Sequence, residues 1–293
     1  MRVLIVGCGY VGLPLGTELT RLGHEVFGLR RHADAEEDLI RAGIKPLYAD
    51  VTNADELSGL SREFDWVVNC VASGGGSAAD YRRTYLQGTR HLLNWLEPMP
   101  RKFIYTSSTS VYGQNDGSVV TEMDVANPMA ETANVLIETE KLLLNAPSER
   151  NFPAIILRLA GIYGPGRGYW LRQFLNGEAR LDGTGDRILN MIHRDDVVGA
   201  ILAALENASA GSIVNVADNE PATQRTVFEW LAKTLERALP EAITNETLPA
   251  HKRGATNKRV SNSKLRHELH YSLKYPTFRE GFAAELRQRG LIA

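Results

Sequence analysis

The chain has 293 residues, 43% of them hydrophobic and 23% charged, with a formal net charge of −2. This is an ordinary globular balance, long enough for one large α/β domain or for one domain with a smaller lobe. The basic residues are dispersed rather than gathered into a stripe, so there is no nucleic-acid footprint. No apolar run approaches the roughly 20 residues of a membrane helix.

The opening "MRVLIVGCG" turns into glycines after an apolar run too short for a signal-peptide core. The two cysteines, Cys8 and Cys70, have neither metal nor redox spacing. Each follows an apolar run and is expected to be a buried small hydrophobe. No metal is expected, and a reducing cytoplasm is the expected location.

"RVLIV" is a β-branched run that reads as a buried strand. It runs straight into "GCGYVG", with Gly7, Gly9 and Gly12 in G-x-G-x-x-G spacing, then into the helical pattern "LPLGTELTRLG" and a second strand, "HEVFGLR". That context is the one a dinucleotide-binding turn requires. Gly7 permits the tight turn, Gly9 lets the backbone approach a pyrophosphate, and Gly12 lets the helix pack close to the sheet. The N–H groups of the turn Gly7, Cys8, Gly9, Tyr10, Val11 and Gly12, with the positive helix end behind them, favour phosphates. Pro14 falls in the first helical turn, where an N–H lacks an intrahelical partner anyway.

At the end of the second strand an acid commonly holds the ribose 2′-OH of NAD. Here Arg30 and Arg31 stand there, and guanidinium groups can grip a 2′-phosphate. NADP(H) is therefore expected over NAD(H), with Asp34 keeping the alternative open.

Alternation continues with strands at "KPLYAD", "WVVNCVA", "KFIYTSS", "PAIILRLAG" and "GSIVNVAD", and with helices that include "YRRTYLQGTRHLLNWLE", "IHRDDVVGAILAALE", "TQRTVFEWLAKTLERAL" and "FREGFAAELRQRG". The pattern predicts an α/β fold: a Rossmann-type doubly wound parallel sheet with a small C-terminal substrate lobe. Residues 1–165 form the expected nucleotide-binding domain, whose core also takes in about 188–217. Residues 166–187 and 218–293 form the smaller lobe. Ligands in such sheets sit beyond the carboxyl ends of the strands, which adds Val71, Ala72 and Ser107 to the cofactor candidates. The segment "LPAHKRGATNKRVSN" reads as a polar, basic, mobile connection.

Several segments in this order resemble the extended short-chain dehydrogenase/reductases, the NAD-dependent epimerase/dehydratase family. They are "YADV" at 48–51, "SSTSVYG" at 107–113, "LRLAGIYGPGR" at 157–167, "IHRDDVVGAI" at 192–201 and "YPTFREGF" at 275–282. The resemblance implies hydride transfer at a nicotinamide and a small-molecule substrate such as a sugar nucleotide. It places Asp50 and Val51 on the adenine side, Ser108 on the reacting oxygen, and Thr109 and Arg167 toward the substrate. It also implies a homodimer.

The family's tyrosine follows a proline by four residues and its lysine comes four later. Counted from Pro128, those positions are Thr132 and Leu136, with Glu140 in the family's glutamate position. General acid–base catalysis supplies about 10²–10⁴-fold, and a threonine hydroxyl does not titrate in the useful range. The resemblance is thus to an atypical branch without the tyrosine–lysine pair. Ser108, Thr132 and Tyr163 are the catalytic candidates, with Tyr112, His193 and Glu131 as further groups available by chain position. The alternatives are a protein that binds NADP(H) and senses it without turnover, and a degenerate relative that binds no nucleotide.

Overall fold

In the computed structural model, which describes residues 1–145, 152–243 and 256–293, the branched aliphatic runs become the strands of one sheet. These are β1 (Arg2–Val6), β2 (Glu25–Arg30), β3 (Lys45–Tyr48), β4 (Trp66–Asn69), β5 (Lys102–Ser108), β6 (Ala154–Leu159) and β7 (Ile213–Val216). All pair in parallel, in the order β7-β6-β5-β4-β1-β2-β3. The order reverses between β1 and β4, which opens the crevice where such sheets bind ligands.

Both faces of the sheet are covered. Val3 and Ile5 point into a core shared with helix α1 (Gly12–Arg21), helix α2 (Glu131–Leu144) and helix α3 (Arg194–Asn207). Leu4 and Val6 alternate to the other face and pack with Leu57, Leu92 and Trp95. This period of two, with apolar residues at every position, marks a strand buried on both sides.

Helix 78–95 lines the cleft with Tyr81, Thr84 and Tyr85, packs Leu92 and Trp95 on the sheet, and widens into a π-helical stretch at Arg82–Gln87. Gly88 follows at once, where an added Cβ would come within 2.9 Å of the Val51 side chain. Glycine there brings the helix against the loop that follows β3.

A separate apolar cluster joins Tyr163, Phe174, Phe228 and the C-terminal helix α4 (Phe278–Gln288) through Phe278 and Phe282. Helix α4 opens with a capping box in which Thr277 and Glu280 exchange bonds.

The segment expected to be a mobile connection differs from that reading where it is described. Arg259–Val260 pairs in parallel with Val119–Val120, and Val260 is buried. Asn257, Arg259 and Ser261 each donate a backbone bond to the 114–120 segment. Arg259 is exposed while Lys258 and Val260 on either side of it are buried, and the backbone finds ladder partners, a pattern hidden by the charge of the segment. Its 248–255 portion lies outside the described residues.

Candidate active site

A cleft of about 1370 Å³ runs along the carboxyl ends of the strands and continues between β5, α2 and the C-terminal cluster. At one end lies the glycine turn. Gly7 has φ +80°, and a Cβ there would lie 2.8 Å from the Val71 backbone. A Cβ on Gly12 would meet the Gly7 carbonyl at 2.8 Å and Ile5 Cγ2 at 2.9 Å. Both glycines are required by the chain's own packing.

Gly9 is different. An added Cβ would meet nothing within 4 Å, and its backbone is not in the left-handed region. No described residue requires glycine there by contact, and the space beside it is open to a group from outside the chain. Helix α1 begins at Gly12, and its N-cap is Val11, which offers no side-chain cap. Leu13 N donates to the Gly9 carbonyl at 2.8 Å and Leu15 N to the Val11 carbonyl at 3.1 Å, and Pro14 has no N–H, so among the described residues the Gly12 N–H, with those of Tyr10 and Val11 before it, is left for a ligand oxygen. These residues fit a dinucleotide pyrophosphate.

Gly7, Cys8, Gly9, Tyr10, Val11, Arg30, Arg31, Asp50, Val51, Val71, Ala72 and Ser107 all line the cleft, while Gly12 lies behind it. Arg30 is braced toward the turn: it donates to the Cys8 carbonyl at 3.4 Å and to Asp34 at 3.2 Å. Asp50 accepts from Thr52 N at 2.9 Å, and its own N–H donates to Glu56 at 2.7 Å, which holds the loop after β3. Cys8 is fully buried, and burial pushes its thiol up to about 12. Cys70 is raised in the same direction, so both sulfurs stay protonated and inert.

The cleft is lined by Ser107 and Ser108 from the end of β5, Thr109 just after it, and Thr132, Ala133 and Leu136 from α2. Ser108 Oγ accepts from Ser110 N at 3.1 Å, which points the hydroxyl along the strand end. Leu136, at the family's lysine position, is 5% exposed and belongs to the core beneath the cleft. The floor there is apolar.

Below it lies a buried polar network. Glu140 pairs with Arg158 at 2.7 Å and accepts from Ser107 Oγ at 2.5 Å. Arg158 donates to Tyr112 Oη at 2.9 Å, and that hydroxyl donates to Asn215 Oδ1 at 2.8 Å. The Ser107 hydroxyl is therefore turned to Glu140. Tyr112 is fully buried with its phenol committed, and it does not line the cleft.

The other sequence candidates fall as follows. Tyr163 borders the cleft, but its hydroxyl lies 3.5 Å from the Thr277 carbonyl and against Gly281 of α4. Burial pushes its pKa further up, so the phenol packs a helix rather than facing the cleft centre. His193 is the N-cap of α3, its Nδ1 accepting from Asp195 N at 3.1 Å, and burial lowers it to about 4. It is neutral at pH 7 and lies outside the cleft lining. Glu131 is exposed at the start of α2 and also lies outside that lining. Arg167 lines the cleft and stacks on the Tyr10 ring at 5.2 Å, joining the substrate-side loop to the glycine turn.

The structure also adds residues that sequence reasoning missed. Tyr85, from the π-helical stretch, lines the cleft and accepts from Ser73 N at 3.3 Å. Lys258 lines the cleft while only 5% exposed. The signal for Lys258 was present: in a strand, residue 258 shares a face with the apolar Val260. Among the described residues no group of three His, Cys, Asp or Glu side chains could hold a metal, and no helix is long and apolar enough to cross a membrane.

The model of the NAD-dependent epimerase/dehydratase family matches residues 3–217. Protein YeeZ of Escherichia coli (strain K12) is 30% identical over 94% of this chain and 96% of its own. A structure described as a putative NAD-dependent epimerase/dehydratase from Methylobacillus flagellatus is 32% identical, with TM-score 0.79 over 99% of this chain and 98% of that one. UDP-glucuronic acid 4-epimerase from Bacillus cereus, in complex with UDP-glucuronic acid and NAD, shares the fold with TM-score 0.82 at 22% identity, covering 98% of each chain. The chain belongs to the NAD-dependent epimerase/dehydratase family.

Proposed function

We propose that the protein is an NADP(H)-dependent enzyme that acts on a sugar or sugar-nucleotide-like substrate without the family's tyrosine–lysine pair. The observation that carries this reading is the vacancy beside Gly9 at the head of a cleft that continues past Ser108. Bound nicotinamide supplies the hydride. The turn from Gly7 to Gly12 holds the pyrophosphate, and Asp50 and Val51 border the adenine. Arg30 and Arg31 meet the 2′-phosphate, a charge-assisted contact that a ribose hydroxyl cannot match.

Ser108 Oγ holds the reacting oxygen, with Thr132 across from it on α2. Leu136 keeps that floor dry, which strengthens polar contacts made above it. The substrate class is supported by the sugar nucleotide bound in the Bacillus cereus relative and by the basic lining of the far wall. Arg167, Arg172, Arg180, Arg187 and Lys258 face the cleft there, against Glu178 and Asp182.

The test is NADPH with a panel of keto sugars and sugar nucleotides, followed at the nicotinamide absorbance. Substrate-dependent loss of absorbance is expected, and a Thr132→Tyr, Leu136→Lys double variant should not raise it. Tight NADPH binding with no turnover across the panel overturns the enzymatic reading. That result would favour a sensor of NADP(H), a reading that the apolar Leu136 and the committed Tyr112 phenol also support.

A further inference from the structure

Among the described residues two side chains of the Arg and Lys type are almost wholly buried, and only one of them has a carboxylate. Arg158 has Glu140. Lys258, 5% exposed, has two neutral oxygens: Nζ donates to the Tyr112 carbonyl at 2.9 Å and to Thr256 Oγ1 at 2.8 Å. An ammonium carries three N–H donors. Among the described residues the third has no acceptor, and Lys258 lines the same cleft as Ser108 and Thr132.

The lysine is held firmly. Asn190 grips its segment twice, Nδ2 donating to the Lys258 carbonyl at 3.0 Å and Oδ1 accepting from Val260 N at 2.8 Å. Asn257 Oδ1 accepts from Ile188 N at 2.9 Å, and Asn257 N donates to the Gln114 carbonyl at 3.1 Å. The Tyr112 carbonyl that holds Nζ lies four residues beyond Ser108, so the ammonium is fixed near the carboxyl end of β5. A buried, unpaired charge costs free energy unless something compensates it. The chain nevertheless builds two braces around this one and, among the described residues, supplies no acid. Desolvation accordingly lowers Lys258 to about 8.

We propose that Lys258 is a binding site for a negatively charged oxygen of the ligand, a carboxylate or a phosphate, at the inner end of the substrate half of the cleft. This rests on the reading that the cleft beyond Ser108 holds substrate. It adds that the substrate is anionic at that point. The ligand oxygen takes the third N–H and supplies the countercharge, which raises the lysine's proton affinity again.

The test is trace labelling of the intact, nucleotide-free protein with isotopic acetic anhydride from pH 6 to pH 10, read at each lysine by peptide mass spectrometry. Saturating glucuronate and inorganic phosphate are the two probes, and glucose is the neutral control. The exposed Lys141 reports any general salt effect in the same digest. Expected is at least about fivefold protection of Lys258 by one probe, with its labelling midpoint moved up by about one pH unit. Protection by glucuronate alone assigns a carboxylate, and protection by phosphate alone a phosphate.

Equal labelling with both probes and with glucose overturns the proposal. So does a Lys258 that resists labelling at every pH, since its third N–H would then not face the cleft. A Lys258→Arg variant should keep an anion-induced melting shift that Lys258→Met loses. NADPH is measured separately: a missing NADPH melting shift removes the nucleotide reading of the cleft, while the anion protection can still be read.

Discussion

The floor beneath β5 and the strap that carries Lys258 solve the same problem in opposite ways. Under β5, Arg158 is surrounded by Glu140, Tyr112 and, through them, Ser107 and Asn215. Both charges there have an internal partner, so they need no countercharge from a ligand. In the strap, Lys258 meets only neutral oxygens among the described residues. The difference teaches how to separate structural polar groups from ones that await a partner: the first kind is compensated within the fold, the second is positioned but left uncompensated.

The contrast is open to attack at its strongest point first. Glu140→Gln leaves Arg158 buried without a countercharge and is expected to cost about 3–5 kcal/mol in urea unfolding. A loss under about 1 kcal/mol would mean that the pair does not hold the floor, and the comparison would fail.

Asp218 sharpens the same contrast. It is 2% exposed, and burial raises its carboxyl from 3.8 to about 8. Between those values the unfolded chain ionises while the folded one keeps its proton, so Asp218 lowers stability as pH rises from about 4 to about 8. Asp218→Asn keeps an Oδ1 acceptor for Glu220 N. Its stability relative to wild type should rise across that window, by at most about 1.4 kcal/mol per pH unit, and level off above it. Unfolding curves at pH 5 and pH 8 that show the same difference would overturn the assignment.

At the glycine turn, the comparison is between Gly7 and Gly9. Gly9→Ala should leave the melting temperature of the free protein within about 1 °C. It should weaken NADPH by at least tenfold, or about 1.4 kcal/mol, in calorimetry. Gly7→Ala should instead destabilise the free protein, because both its φ and the Val71 backbone oppose a side chain. Similar behaviour of the two variants would remove the argument for a cradle at Gly9. The smallest effect is expected at Arg30→Ala, a severalfold loss of preference for NADPH over NADH in the same titration.

Much of the fold was legible from local pattern. The run Arg2–Val6, the glycine spacing and the helix after it form as the residues imply, and "KFIYTSS" matches β5 residue for residue. These are short-range properties: a β-branched run fits a pleated strand, and a glycine turn is set by its own backbone. The loss of the tyrosine and lysine was also visible, because it is a matter of counting from Pro128. The replacement was not. Tyr112, Tyr163 and His193 stood at suggestive chain positions, yet Tyr112 and Tyr163 are held by partners far away in sequence, at Asn215 and Thr277, and His193 is spent on capping its own helix. Lys258 lay in a stretch whose composition imitates a loop. Its inward direction depends on pairing with residues 114–120, more than a hundred positions earlier.

The amino-acid order by itself determined the parallel sheet, the glycine turn and the threonine and leucine at 132 and 136, since strand period, glycine spacing and motif position are all local. Only the tertiary structure decided which polar groups are compensated and which face the cleft. Burial and hydrogen-bond partners arise from contacts between distant segments, and charge compensation in a low-dielectric interior depends on those contacts.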